Sequence, residues 1–167
     1  MQIVEINALS RETFRSCYRY AATCSADDRT QNGSMLVKNT DILAMGANRY
    51  PSQMLRKDEL RDDKYANIIH AEEDAIWKAA RTTMIPLNGS LLWCVWAPCM
   101  RCARAIVSAG ITRLTVHKQM HDRTPERWRG EIEQAVAYIE NAGVEYIRVN
   151  GKVGDCTNLF DGKIWKP

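Results

Sequence analysis

Four side chains in two short clusters have types and spacing that could serve a single reaction: His70 with Glu72, and Cys99 with Cys102. Residues three apart share one face of a helix, so both thiols can reach one ion. Imidazole and thiolate together suit Zn2+, and His70, Cys99 and Cys102 supply three ligands. Three protein ligands leave a tetrahedral ion one open position for water, whose pKa then falls toward ~7. Glu72 is two residues past His70 and so is angled away from the ligand direction. It reads as a proton shuttle beside that water, not as a fourth ligand. Each cluster alone is a weak signal. A lone H-x-E is mostly chance, and a lone C-x-x-C reads as a zinc pair, a redox pair or a coincidence. The redox reading carries weight because Cys99 follows a strand and opens a helix. The two clusters together, each at a helix start with a strand between them, favour one catalytic zinc per chain. Both helix N-termini would favour thiolate and bound hydroxide.

The elements that must position these residues follow from periodicity and breakers. Ser10 can cap a helix with Phe14, Cys17, Tyr18 and Ala21 on its inner face. Residues 33–37 and 42–45 read as a hairpin around the polar turn 38–41. A polar loop of residues 48–67, with Pro51 and many charges, has no clean period; so long a loop is usually functional or flexible. Helicity resumes at His70. Leu91 to Trp96 reads as a buried strand. Pro98 suits the first position of the next helix and Gly110 its end. Residues 112–117 form another strand. A long helix from Thr124-Pro125 places Trp128, Ile132, Ala135, Val136 and Ile139 inward and stops at Gly143. Residues 144–149 form a fifth strand. A hairpin followed by β-α-β-α-β crossovers implies an α/β fold, a five-stranded mixed sheet flanked by helices.

Composition bounds the alternatives. The 167 residues suit one domain, with a core over about 10–150 and a tail over 151–167. With 46% hydrophobic and 26% charged residues, collagen-like, low-complexity and largely disordered classes are excluded. A net charge of +3 is too small to argue for nucleic acid, and no basic block concentrates it. No apolar run is long enough to span a membrane, and the start of the chain does not read as a signal peptide. The expectation is a cytoplasmic protein (host cytoplasm if phage-encoded) whose six cysteines are thiols or ligands, not disulfides.

The ordered pair His70-Ala71-Glu72 and Pro98-Cys99-Met100-Arg101-Cys102 matches the H-x-E…P-C-x-x-C signature of zinc deaminases. Residues 11–149 resemble the cytidine/deoxycytidylate deaminase superfamily, most of all its dCMP type, bacterial and phage members included. Thr30-Gln31-Asn32-Gly33, Gly46-Ala47-Asn48-Arg49-Tyr50-Pro51, Asp63-Lys64-Tyr65 and His121-Asp122 carry the rest of the likeness. The resemblance implies a three-layer α/β/α fold, dCMP and water giving dUMP and ammonia, and a homo-oligomer between dimer and hexamer. It implies substrate contact by Asn48, and places Ala71, Trp96 and Ala97 at the substrate. The chain departs from the family pattern at Arg49 and Gln53, both glycine in the family, and at Asp74, where the family has a neutral amide. The first two put dCTP/dTTP control in doubt.

Further candidates each have a plain reading beside the functional one. Arg29, Arg49 and Arg123 suit a phosphate, or are solvated surface arginines. His121 reaches the substrate, or sits in a surface loop. Trp96 stacks on a base, or packs in the core. His117 with His121, or Cys17 with Cys24, would make a second zinc site, or are core and surface groups. The tail residues 160–165 expose large apolar groups and should dock on the body or on a neighbouring subunit. Competing functions are deamination of cytidine, guanine or a modified dCMP, deamination of a polynucleotide base, and a redox C-x-x-C protein. The charge pattern argues against the polynucleotide, since no basic groove interleaved with aromatics is present.

Overall fold

The structure, a computed structural model, describes residues 2–50 and 67–167. In chain order its elements are β1 (Gln2–Glu5), α1 (Ala8–Cys24), β2 (Gly33–Lys38), β3 (Asp41–Ala47), α2 (Ala71–Thr82), β4 (Leu91–Cys94) and α3 (Met100–Ser108). They continue with β5 (Arg113–His117), α4 (Lys118–Asp122), α5 (Glu126–Asn141), β6 (Glu145–Asn150), β7 (Asn158–Phe160) and β8 (Lys163–Trp165). The expected loop with Pro51, Gln53 and Asp63-Lys64-Tyr65 lies outside the described residues, apart from its two ends. Those ends are joined by a pair of backbone hydrogen bonds between Arg49 and Ile69, of 3.0 and 2.8 Å.

The sheet has six strands, not five, in the order β1-β6-β5-β4-β2-β3. The added strand is β1, parallel to β6. It is four residues long and largely exposed, so it carries no apolar face for a periodicity argument to find. β4, β5 and β6 are parallel, while β2 runs antiparallel to both β3 and β4. Alternate residues of each strand feed two cores. Leu36, Leu92, Cys94, Leu114, Val116 and Tyr146 pack with α2, α3 and α5 on one face. Met35, Val95 and Val149 pack with Phe14, Cys17 and Tyr18 of α1 on the other. This period-two division gives the three layers. α3 and α5 share a face, as two crossovers of one hand moving the same way must.

Several boundaries differ from the expectation by local chemistry. Asn7, not Ser10, caps α1: Ser10 N–H donates to Asn7 Oδ1 (2.9 Å), and Ser10 Oγ accepts from Asn7 N–H (2.9 Å), a reciprocal capping box. The segment after β5 is a one-turn helix, α4, not a loop. Gly46 permits a close approach that decides where α2 lies. A Cβ there would stand 2.0 Å from the Ala71 carbonyl oxygen, so only glycine lets β3 touch the first turn of α2.

The tail docks on the body. Trp165 stacks on His117, with centroids 5.7 Å apart at 19°, and meets Tyr18 edge-on. His117 is buried in the α1-side core. Its Nε2 lies 2.8 Å from the Gly151 carbonyl, which can only accept, so that nitrogen carries the hydrogen. With the buried ring neutral, Nδ1 accepts from the Tyr18 hydroxyl at 2.8 Å. Burial holds its pKa below the usual histidine value. The unfolded chain then binds the proton more readily. Stability is complete above about pH 6.5, the ordinary histidine value, and falls as pH drops toward the lowered folded value. His117→Gln should lower the melting temperature at pH 7.5 and flatten its pH dependence between 7 and 5.5. Parallel curves for the two proteins would assign the titration elsewhere.

Candidate metal centre and the cavity around it

One end of the sheet gathers the functional side chains. β2 starts beside the ends of β3 and β4, because Gly33 pairs with Ala47 and Ser34 with Cys94. Asn32, Asn48 and the 95–99 segment therefore emerge together. The N-termini of α2 and α3 point at the same place, with His70 and Cys99 at their N-cap positions.

His70, Cys99 and Cys102 form a cluster of metal-binding groups. His70 Nδ1 is 3.4 Å from each sulfur, and the sulfurs are 3.7 Å apart. Ligand bonds of about 2.3 Å to sulfur and 2.0–2.1 Å to nitrogen put tetrahedral edges near 3.8 Å for S–S and 3.5 Å for S–N. The three donors are therefore already spaced for one zinc ion. The Cys99 thiol is held well below its usual value by the hydrogen bond from Cys102, against burial, with His70 adding to the effect. It is thus a ready thiolate ligand.

Glu72 is buried beside this cluster, and burial pushes its carboxyl up to about 7. Asn32 Nδ2 donates to Glu72 Oε2 at 3.2 Å, and Asn32 Oδ1 accepts from Gly33 N–H at 3.1 Å. Asn32 thereby fixes the carboxylate. Asn32 belongs to the 30–33 stretch of the family likeness, which assigns it no role; its position directly before β2 is the available signal.

A cavity of about 600 Å³ opens onto these groups, within the range of small-molecule sites. Its wall includes His70, Glu72 and Cys99, and the expected Asn48, Trp96, Ala97 and Arg29. Asn48 is anchored at both ends: Oδ1 accepts from Ala71 N–H (3.1 Å) and Nδ2 donates to the Thr30 carbonyl (3.0 Å). Each group keeps spare capacity, one lone pair and one hydrogen. Trp96 Nε1 donates to Thr124 Oγ1 (2.9 Å), and its ring meets Phe160 edge-on at 5.0 Å. Cys102 is buried behind the wall.

Four expected substrate residues are not part of the cavity wall. Ala71 is fully buried, its carbonyl accepting from Ser34 Oγ at 2.6 Å. Arg49 turns away from the cavity onto buried Asp74. His121 sits on α4 with its ring 6.4 Å from Tyr146 and Nδ1 3.6 Å from Asp122, so the helical turn carries it toward β6. Arg123 lies over the Trp165 ring at 4.9 Å. Cys17 is buried and Cys24 exposed. Among the described residues, the 70/99/102 group alone has metal-binding spacing. Arg127, Glu131 and Asp161 also line the cavity, and no motif in the sequence marks them.

A mixed sheet presenting three nitrogen and sulfur donors at metal-binding spacing, beside a buried carboxylate, defines a candidate one-metal hydrolytic centre. Residues 9–118 match the model of the cytidine and deoxycytidylate deaminase zinc-binding region. The chain belongs to the cytidine and deoxycytidylate deaminase family, and is a zinc-binding hydrolytic deaminase. It is 36% identical over 124 residues to an uncharacterized deaminase of Aliivibrio fischeri, covering 72% of this chain and 80% of that one. Over 86 residues it is 34% identical to the deoxycytidylate deaminase of Enterobacteria phage T4, covering 52% of this chain but only 40% of the phage protein. The dCMP deaminase of cyanophage S-TIM5, solved with dCMP and dUMP, has the same fold: TM-score 0.65, 24% identity, 87% of this chain and 99% of that one. No described helix is long and apolar enough to cross a membrane.

Proposed function

We propose that this chain converts dCMP, or a 5-substituted dCMP, to dUMP and ammonia. The observation that carries the reading is the cavity itself. It has a metal-ligand set and Glu72 in its wall, an aromatic wall at Trp96 and Phe160, and arginines along its lining. The phage relative and the cyanophage enzyme point to the same substrate.

His70, Cys99 and Cys102 would hold the zinc, which when bound supplies a water of lowered pKa at the floor of the cavity. The remaining work falls to the chain's own groups. Deamination replaces the exocyclic amine at C4 by the oxygen of water. The two hydrogens of that water end on ring N3 and on the departing ammonia. Glu72 relays them: Asn32 holds Oε2, leaving Oε1 to take up and deliver the proton. Trp96, locked by Thr124, offers a fixed face for the base, and Asn48 offers its spare donor and acceptor to the sugar.

The test is ammonia release with zinc content determined on the same sample. The panel is dCMP, 5-methyl- and 5-hydroxymethyl-dCMP, CMP, dCTP, deoxycytidine, guanine and a cytosine-containing oligonucleotide. Fastest turnover of dCMP or a 5-substituted dCMP is expected. A preferred oligonucleotide, with binding that falls steeply with salt, would replace the reading with polynucleotide deamination. Guanine or deoxycytidine as best substrate would replace it with another small-molecule reaction. Adding dCTP or dTTP tests effector control, and sedimentation tests the expected oligomer.

A further inference from the structure

The β7–β8 hairpin lies beyond the segment that the family model matches, yet it builds part of the cavity wall. It is fastened along residues 29–31. Gln31 N–H donates to the Leu159 carbonyl (3.0 Å), Leu159 N–H to Gln31 Oε1 (3.0 Å), Asp161 N–H to Thr30 Oγ1 (3.3 Å) and Gly162 N–H to the Arg29 carbonyl (2.8 Å). The turn itself has positive φ at Asp161 (50°) and Gly162 (76°), a tight hairpin bend that aims the Asp161 side chain back at the body.

That carboxylate pairs with one guanidinium group, and a second lies along the same turn. Arg127 Nη2, from the first turn of α5, is 2.5 Å from Asp161 Oδ1. The Arg29 guanidinium lies along the same turn, its Nη2 3.6 Å from where a Cβ on Gly162 would stand. The third arginine of the cavity is committed elsewhere: Arg101 pairs with Glu73 (3.1 Å) and donates to the Ile68 carbonyl (2.6 Å). The other rim acids are also engaged. Asp27 Oδ1 accepts from Arg29 and Thr30 N–H, and Glu131 Oε1 from Met100 N–H.

The geometry points to a clamp of Arg29 and Arg127 for the phosphate of a mononucleotide, with Asp161 as the internal counter-ion that the phosphate displaces. The inference rests on the mononucleotide reading above. Arg127 and Asp161 are 55% and 38% exposed, and an ion pair so open to water is weak. A phosphate dianion offers the same two forks more charge and more acceptor oxygens than one carboxylate. The hairpin thus favours phosphorylated substrate over bare nucleoside, and Asp161 moderates that preference.

Zinc-loaded wild type, Arg127→Ala and Asp161→Asn should be compared by the ratio of kcat/KM for dCMP to that for deoxycytidine, and by calorimetric titration with dUMP. Arg127→Ala should lower the ratio by about 10- to 100-fold, the loss of a charge-assisted contact. Asp161→Asn should raise it by about 2- to 5-fold, the release of an exposed pair. The opposite signs matter, because mere damage to the hairpin would lower both. An unchanged ratio in either variant, or a fall in both, overturns the clamp and leaves the dCMP reading standing. If wild type turns over neither compound, the dCMP reading fails and the titration decides the clamp. Opposite shifts in dUMP affinity sustain it; equal affinities, or no dUMP binding, overturn it.

Discussion

Glu72→Gln is expected to lower kcat by about 10²- to 10⁴-fold, the usual worth of a positioned general acid–base. Zinc should stay bound at one ion per chain, because none of the three ligand atoms is touched. The isosteric amide keeps an oxygen to accept from Asn32 Nδ2, so the side chain stays in place. Stability should hold or rise, since a neutral amide replaces a group whose charged form is disfavoured by full burial. Cys102→Ala is the matching control. It removes a buried ligand 3.4 Å from His70 Nδ1, and should abolish zinc binding together with turnover. The assignment of roles fails if Glu72→Gln loses its zinc while retaining turnover. Zinc analysis and single-turnover rates on one preparation separate these outcomes.

The metal centre was legible in the sequence because its geometry is local. Cys99 and Cys102 share a helical turn, and His70 and Glu72 open another, so spacing alone nearly fixes their relation. The sheet was legible where strands bury both faces, as at residues 91–94 and 113–117, and not at β1, whose exposed edge has no pattern. The cavity wall was much less legible. Arg127 and Asp161 are 34 residues apart, on a helix and on a turn of the tail. The attachment of the hairpin to residues 29–31, with its aromatic packing on the body, brings them together. His121 shows the converse: a loop after a strand is expected to carry it to the substrate or the surface, whereas a one-turn helix follows β5 and sets its ring 6.4 Å from Tyr146.

Arg49 and Asp74 show the same limit at higher energetic cost. Each reads in the sequence as a separate departure from the family pattern, a glycine and a neutral amide replaced. In the structure they are partners. Asp74 is fully buried and receives Arg49 Nε, Lys78 Nζ (2.6 Å) and Ala47 N–H (3.1 Å). Lys78 in turn reaches the Tyr20 hydroxyl (3.1 Å) and the Met45 carbonyl (3.2 Å). The cluster ties the end of β3, one residue before Asn48, to the first turn of α2, two residues past Glu72. Asp74→Ala should therefore cost about 2–4 kcal/mol, toward the lower side of a broken buried pair because Arg49 and Lys78 can still reach water. At about 2–4 °C per kcal/mol, melting should fall by roughly 5–15 °C. Arg49→Gly should cost less, since Lys78 still neutralises the carboxylate. Combined with Asp74→Asn, Arg49→Gly should cost clearly less than the sum of the two single changes, with a coupling of about 1 kcal/mol or more. Additive losses would mean that the two departures are independent. A lowered preference for dCMP over deoxycytidine in Arg49→Gly, with melting unchanged, would return Arg49 to the substrate.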